Sequence, residues 1–207
     1  MKLRQVRKAQ TREALLDAAA RVMARRGYHR ASVEEIAEEA GFSTGAVYSS
    51  FAGKDDLFLT LVERDVARET AAFVETVAAG ETVEERMQRG AAYWMGFVRR
   101  DPNLFLLIME FWGRAVRDPE IGRRYAAARE ALTDAVASLI DDARREFGLD
   151  LPIPVRYLAV AAEAIADGLA MRQLADPEAV PDDLMSRTLL FLAPWTRAAE
   201  RPSQRRS

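Results

Sequence analysis

The chain of 207 residues is 49% hydrophobic and 30% charged with a formal net charge of −2, a composition typical of a water-soluble globular protein of one domain or two small ones. It contains no cysteine and one histidine, which excludes disulfides, thiolate zinc sites and cysteine nucleophiles and disfavours a histidine-dependent catalytic triad. No apolar core of a secretion signal follows the basic N-terminus and no apolar run is long enough to span a membrane, so we expect a cytoplasmic protein.

Basic residues are concentrated at the start of the chain. Residues 1–54 hold ten Lys and Arg against six Asp and Glu, whereas the rest holds 20 against 26. A basic N-terminal part followed by an acidic remainder is typical of a protein that contacts phosphate groups at one end, although a solvated basic terminus gives the same pattern. We interpret residues 1–8 as a flexible basic arm. Apolar residues at helical spacing then predict a first helix from about Gln10 to Arg26, closed by Gly27.

Capping residues predict two short helices after this first one. Ser32 and Glu35 have the spacing of a capping box, which starts a helix. Gly41 can adopt the left-handed conformation that ends a helix, and Ser43 is a good N-cap for the next.

The two short helices have the spacing of a helix-turn-helix. Ala37 is small enough for the helix crossing, Gly41 suits the turn, and Val47 is a branched anchor beneath the second helix. The second helix is then free to lie in a DNA major groove.

Helical patterns continue to the C-terminus, so we predict an all-α fold of about nine helices with no strand. The six further helices are predicted from near Lys54 to Gly80, from the capping box Thr82–Glu85 to near Arg100, over the apolar run Leu104–Trp112, from Asp118-Pro119 to Phe147, from Pro154 to about Leu174, and over Leu184 to Trp195.

The segment GFSTGAVYSSFAGKDDLF resembles the recognition helix and following helix start of the TetR (tetracycline-repressor) family of transcriptional regulators, and the similarity extends over about residues 10–60. The positions that match the family pattern are Gly41, Phe42, Ser43, Gly45, Val47, Tyr48, Phe51 and Lys54. The resemblance implies a DNA-binding domain over residues 1–53, an effector-binding and dimerisation domain over 54–200, and a disordered tail over 201–207. It also implies a homodimer on a roughly palindromic operator, with neither a cofactor nor catalysis.

The residues expected to contact DNA lie on the second short helix, at nearby helix starts and in the arm: Ser32, Ser43, Thr44, Gly45, Ala46, Tyr48, Ser49, Lys54 and Arg4. Hydroxyl groups of Thr44 and Ser49 can bond to base edges. Tyr48 and Lys54 are expected at phosphate groups, although Tyr48 could instead pack beneath the helix. The helix has no Arg, Asn or Gln for a bidentate base contact, so we expect DNA shape and an arm entering an adjacent groove to contribute specificity.

The resemblance also implies an apolar ligand cavity between the fourth predicted helix, which starts near Lys54, and the eighth, which starts at Pro154. An ordinary core would contain the same residue types. The candidate lining residues are Trp94, Phe97, Met109, Glu110, Trp112 and Tyr125. Glu110 lies inside the apolar run LFLLIMEFWG, and a buried carboxylate needs a partner. Arg114, four residues further on, or a polar group of a ligand could supply it.

Helix 8 carries two apolar stripes, one of them rich in small residues that permit close helix approach. With helix 9 it suits a four-helix dimer interface, although both stripes could instead pack inside one chain. The candidate interface residues are Leu158, Ala161, Ile165, Gly168, Leu169, Leu184, Phe191 and Trp195.

The predicted function is sequence-specific DNA-binding regulation of transcription, as a repressor that a small apolar ligand releases through helix 4. An architectural DNA-binding protein without an effector is an alternative hypothesis, because it would need the same DNA-binding domain. An all-α enzyme is a third hypothesis, because Asp141, Asp142 and Glu146 resemble a magnesium-binding acidic cluster. The neighbouring arginines favour a solvated charged face instead.

Overall fold

The computed structural model describes Lys2–Leu192, with side chains from Gln5 onward. Within that range the chain is all-α, as predicted, with nine α-helices, one short 3-10 helix and no strand. The helices are α1 (Lys2–Arg26), α2 (Val33–Ala40), α3 (Thr44–Ser50), α4 (Lys54–Ala78), α5 (Val83–Arg100), α6 (Pro102–Ala115), α7 (Pro119–Phe147), α8 (Val155–Ala175) and α9 (Leu184–Leu192).

Helix α1 begins at Lys2, so the prediction of a flexible arm before Gln10 is wrong for the described residues. No Gly or Pro occurs between Lys2 and Arg26, and the residues before Gln10 are mostly good helix formers. The helix therefore continues into the basic terminus. Gly27 ends the helix, as predicted, and does so in the left-handed conformation with φ +76°.

Contacts divide the chain into two compact units. Unit 1 holds the chain up to Ala67 together with Asn103–Arg129, and unit 2 holds Arg68–Pro102 and the chain from Glu130. Both α4 and α7 contribute residues to each unit. The middle of the chain thus shares a core with its first part, and the functional boundary after residue 53 remains a prediction.

Unit 1 is built on one hydrophobic core that α1, α2, α3, the first half of α4, α6 and the start of α7 all enter. The Tyr28 ring lies at its centre, 5.0 Å from the Phe58 ring and 5.2 Å from the Phe111 ring between centroids. Phe111 belongs to α6, so α6 completes the core of the helix-turn-helix. Burial of three aromatic side chains contributes several kcal/mol, at about 1.5–3 kcal/mol for each.

Unit 2 contains α5 packed against α8 and α9. Ala91 and Met95 of α5 meet Ala166 of α8 and Met185 of α9 in a small apolar cluster. At the opposite end of α5, Arg86 donates to the Gly80 carbonyl and lies over the Phe147 ring. None of the helices from Lys2 to Leu192 combines the length and apolar character needed to cross a bilayer.

Candidate nucleic-acid interface

Helix α3 is set up by local hydrogen bonds. The Ser43 hydroxyl oxygen accepts from the Ala46 N–H at 3.3 Å, which makes Ser43 the N-cap, as predicted. Gly41 ends α2 with φ +72° and allows the sharp turn between the two helices. Val47 is the single buried residue of α3, and it anchors the helix to the core.

The remaining surface of α3 faces outward. Thr44, Gly45 and Ser49 are exposed, and the Tyr48 side chain is 58% exposed. Phe51, directly after the helix, is buried, so the two aromatic residues have opposite orientations. The outward arrangement leaves small polar groups and one phenol available to a DNA groove. The individual DNA contacts remain predictions.

Arg12 of α1 fastens the C-terminal end of α3, a role that the sequence did not reveal. Its Nη1 donates to the Ser50 carbonyl at 2.7 Å, and its Nη2 donates to the Thr60 hydroxyl at 3.3 Å. The guanidinium group also lies 4.3 Å from the centroid of the Phe51 ring. A cation over an aromatic face contributes about 0.5–2 kcal/mol. Arg12 lies 38 residues from Ser50 and 48 from Thr60, so sequence spacing could not reveal these contacts.

The ammonium group of Lys54 is bound within the protein, whereas its contact with a DNA phosphate remains a prediction. Its ammonium group donates to the carbonyls of Tyr28, His29 and Ala31 at 3.1, 3.3 and 3.0 Å. These acceptors use all three ammonium protons, so the role of Lys54 in this structure is to hold the turn after α1.

Ser32 caps α2 through the predicted capping box. The Ser32 hydroxyl accepts from the Glu35 N–H at 3.1 Å, and the Glu35 carboxylate accepts from the Ser32 N–H at 3.2 Å. The Ser32 side chain is partly buried. Its local role is therefore established, whereas its phosphate contact remains a prediction.

The helical start of α1 changes how the basic terminus could meet DNA. Arg7 and Lys8 are exposed, and the side chain of Arg4 lies outside the described part of the chain. An α-helix with its side chains is about 10–12 Å wide, whereas the minor groove of B-DNA is about 6 Å wide. A helical terminus is too wide for the minor groove, whereas the major groove, about 12 Å wide, admits a helix. Entry of the basic terminus into an adjacent groove therefore remains a prediction.

Glu110 is bound inside unit 1 by backbone amides. Its carboxylate accepts from the Tyr28 N–H at 3.0 Å and from the His29 N–H at 3.1 Å. Neither Arg114 nor a ligand is therefore needed as its partner, whereas its place in a ligand cavity remains a prediction. Arg114 instead binds Asp55 of α4, with 2.8 and 2.6 Å between the paired atoms.

The other predicted lining residues fall into separate groups. In unit 2 the Trp94 and Phe97 rings are brought together, 5.6 Å apart between centroids. In unit 1 Met109 and Tyr125 are partly buried. Trp112 is 51% exposed, because it is one position along α6 from the buried Phe111 and therefore faces another way. The ligand contact of Trp112 remains a prediction.

Helices α8 and α9 present an apolar surface that we call the α8–α9 face. Ala161 and Gly168 are exposed on it, together with the large side chains Tyr157, Val160 and Met171. Phe191 of α9 is 79% exposed. The other predicted interface residues in the described range are partly buried: Leu158, Ile165, Leu169 and Leu184. Trp195 lies outside the described residues.

The acidic residues near the end of α7 are paired with neighbouring arginines. Asp141 binds Arg144 at 2.8 Å, and Asp142 binds Arg145 at 2.6 Å. Glu146 binds Arg86 at 2.7 Å. Across the described part of the chain, no group of three or more acidic or histidine side chains could hold a metal ion. The arrangement is that of a charged helix surface.

An all-α chain that presents a capped helix-turn-helix outward belongs to the class of helix-turn-helix regulators of transcription. Residues 15–61 match the family of bacterial regulatory proteins called the tetR family, and residues 83–193 match the C-terminal domain of BetI-type transcriptional repressors. The chain therefore belongs to the TetR family, and the predicted family and DNA-binding regulatory function are confirmed.

Individual relatives agree with this assignment. The chain is 32% identical over 152 residues to the transcriptional activator FasR of Mycolicibacterium smegmatis, covering 73% of this chain and 67% of FasR. It is 27% identical over 165 residues to the transcriptional repressor AcnR of Corynebacterium efficiens, covering 78% and 81%. The structure of FadR from Bacillus subtilis in complex with stearoyl-CoA has the same fold, with a TM-score of 0.71, 18% identity and coverage of 87% and 96%.

Proposed function

We propose that this chain is a homodimeric repressor that binds a palindromic operator in the cytoplasm and leaves it when a small molecule with an apolar part binds. The outward face of α3 carries the DNA-binding part of this proposal. Val47 alone is buried on this helix, so the exposed side chains make no contribution to the core. The match of residues 83–193 to BetI-type repressors favours repression over activation.

Two copies of α3 would read two half-sites. In a two-fold dimer these lie about 34–36 Å apart, one turn of DNA, or a multiple of it. The small side chains of Thr44, Gly45 and Ser49 allow the helix backbone to approach the bases closely. Because bidentate base contacts are missing, DNA shape and bridging waters would contribute much of the sequence preference.

The α8–α9 face supports the dimer. Exposed small residues on α8 allow close approach of a second helix, and the large apolar residues beside them gain by being covered. Helix α9 packs on α8 in unit 2, so each protomer would supply two helices to a four-helix interface.

Two observations support a proposal for the effector: the apolar side chains of the predicted cavity residues and the ligand bound to a protein of the same fold. The Trp94 and Phe97 rings lie together on α5, and Trp94 also packs against the apolar cluster that contains Met95, which favours an apolar ligand portion. FadR of Bacillus subtilis was crystallised with stearoyl-CoA. A long-chain acyl thioester is therefore the first effector class to test.

The experiment selects operator DNA from a random library with the full chain and then measures its affinity with and without stearoyl-CoA. A specific regulator should bind the selected palindrome roughly 10³-fold or more tightly than random DNA at fixed salt. An effector should lower that affinity about 5- to 150-fold. A strongly salt-dependent affinity without sequence preference would instead indicate the architectural DNA-binding protein.

A further inference from the structure

Gln173 of α8 is a polar residue inside unit 2. It is 6% exposed, and the Oε1 atom of its terminal amide accepts no hydrogen bond from any group in the described part of the chain. A buried amide oxygen without a donor lowers the stability of a fold, because it has lost its hydrogen bonds to water. Native proteins contain few such groups, and binding sites are one place where they are retained.

The amide of Gln173 belongs to the face of α8 that packs inside unit 2. Ala166, on that face, enters the apolar cluster with Met95 of α5 and Met185 of α9. Gln173 follows Ala166 by about two helical turns and therefore shares its face. The buried residues of this face are small apart from the glutamine: Ala159, Ala166, Ala170 and Gln173. The amide is thus the one polar group on the buried side of α8 in the described residues.

The aromatic pair of α5, Trp94 and Phe97, lies at the same end of unit 2 as Gln173. Arg99, in the last turn of α5, binds Asp182 at 2.8 Å in the segment that joins α8 to α9. The C-terminal part of α5 therefore lies beside the segment that follows Gln173. The indole of Trp94 packs against the apolar cluster that contains Met95. An amide acceptor and flat apolar surfaces thus occupy one end of this layer of helices.

An acceptor in apolar surroundings selects a ligand that carries a hydrogen-bond donor on an apolar body. A hydroxyl or an amide N–H would supply the hydrogen bond that the Gln173 oxygen lacks, and the apolar body would lie against the side chains of α5. An ionised carboxylate has only acceptor atoms, so it cannot bond to Oε1. A ligand without a donor would leave the amide oxygen unpaired and would bind more weakly for that reason.

We propose that unit 2 binds apolar molecules that carry a hydroxyl or N–H donor, and that Gln173 Oε1 accepts the hydrogen bond from this donor. The inference rests on the proposed effector binding and adds the polar group that an effector must carry. Stearoyl-CoA meets the requirement through the amide N–H groups of its pantetheine arm, whereas free stearate does not. The test below uses neither stearoyl-CoA nor DNA, so its failure is distinguishable from failure of the proposed release from the operator.

The test compares two probes of equal size, 1-octanol and 1-methoxyheptane. The alcohol can donate and accept a hydrogen bond, whereas the ether can only accept. Isothermal titration calorimetry with the full chain measures the affinity of each probe. The alcohol should bind wild type about 2- to 10-fold more tightly than the ether, the ratio expected for one neutral hydrogen bond. Equal affinities, tighter binding of the ether, or no detectable binding of the alcohol would overturn the proposal.

Nuclear magnetic resonance locates the hydrogen bond on the protein. Glutamine is labelled with carbon-13 at its side-chain carbonyl, and the Gln173 signal is the one that is missing from the spectrum of Gln173→Met. Octanol should shift the Gln173 signal more than the ether does, because only the alcohol donates to the carbonyl oxygen. Binding of octanol that leaves the Gln173 signal unchanged would show that the alcohol binds elsewhere, against the proposal.

Two glutamine variants complete the test. Gln173→Met keeps an unbranched side chain without the amide, and it should bind both probes equally. Gln88→Met makes the same replacement at an exposed position of α5, where the amide donates to Glu84 at 3.3 Å, and it should keep the wild-type ratio. Without a probe, Gln173→Met should unfold in urea no earlier than wild type, because it removes a buried oxygen that has no donor. A marked loss of stability in Gln173→Met alone would show that the folded protein already satisfies the amide, which contradicts the proposal.

Discussion

The Arg114 guanidinium and the Asp55 carboxylate are joined by two parallel hydrogen bonds, Nη1–Oδ1 at 2.8 Å and Nη2–Oδ2 at 2.6 Å. Arg114 is on α6 and Asp55 is in the first turn of α4. The pair therefore ties a helix from the middle of the chain to the segment that follows the recognition helix. Both side chains are 37% exposed, so solvent weakens the attraction but leaves the geometry intact.

The Arg114–Asp55 pair should show a measurable coupling energy. Asp55→Asn and Arg114→Gln should each lower the free energy of unfolding, and the double variant should lose less than their sum. We expect a coupling of about 1–2 kcal/mol, in the range of charge-assisted hydrogen bonds after allowance for exposure. Urea unfolding of the four proteins measures it. Strict additivity would show that the two groups stabilise the fold independently.

The buried Tyr28 should make stability fall at alkaline pH. Burial, followed by the hydrogen bond to Asp55, raises the pKa of Tyr28 above its usual value of 10.0. The unfolded chain then loses the phenol proton first, so the stabilisation is complete below about pH 10 and decreases above it.

The limiting slope from one such group is about 1.4 kcal/mol per pH unit. Tyr28→Phe should remove this contribution, and the comparison isolates it because Tyr93, whose pKa is raised to about 12, remains in both proteins. The measurement is the free energy of unfolding from pH 8 upward without DNA, with Tyr48→Phe as the control for loss of an exposed hydroxyl. Identical slopes for wild type and Tyr28→Phe would contradict the prediction.

Substitutions of Tyr48 and Phe51 should affect different properties, operator affinity in the first case and folding stability in the second. Tyr48→Ala removes an exposed side chain and should weaken operator binding about 2- to 10-fold, as expected for one phosphate hydrogen bond, with little change in stability. Phe51→Ala empties a core position beneath Arg12 and should cost about 3–5 kcal/mol of unfolding free energy. Fluorescence anisotropy and urea unfolding measure the two quantities. A large loss of stability in Tyr48→Ala would show that the ring packs against the protein.

Gly168 tests whether the α8–α9 face is an interface. A Cβ atom at Gly168 meets nothing within 4 Å, so Gly168→Arg should fold normally as a single chain. In a dimer the same side chain would obstruct close helix approach and shift the protein toward monomer. Sedimentation velocity of wild type, Gly168→Arg and the small control Gly168→Ala makes the comparison. A Gly168→Arg protein that is as dimeric as wild type would place the interface elsewhere.

The sequence predicted those features whose contacts join residues close together in the chain, such as helix caps and turns. The capping box of Ser32 with Glu35 and the left-handed Gly41 involve contacts within a few residues, so sequence spacing was sufficient to find them. Helix α1 begins earlier than the predicted start near Gln10, because a cluster of basic residues does not by itself make a segment flexible. Lys and Arg are nevertheless good helix formers, and nothing before Gln10 stops a helix.

The partners of charged residues could not be predicted in the same way. Glu110 binds amides 81 and 82 residues away, and Lys54 binds carbonyls 23 to 26 residues away. No sequence spacing encodes such pairs, because they follow from how the helices fold together. The apolar run around Glu110 correctly indicated that its carboxylate needs a partner. It gave no information on which partner the fold would supply.

Thr44, Gly45 and Ser49 have almost no part in holding the protein together. The Ser49 hydroxyl bonds only within its own helix, and a methyl group at Gly45 would meet nothing closer than an ordinary contact at 3.7 Å. Mutations at these three positions are thus nearly free of selection for folding. After a gene duplication, one or two replacements there could redirect a copy to a different set of promoters while its architecture stayed unchanged.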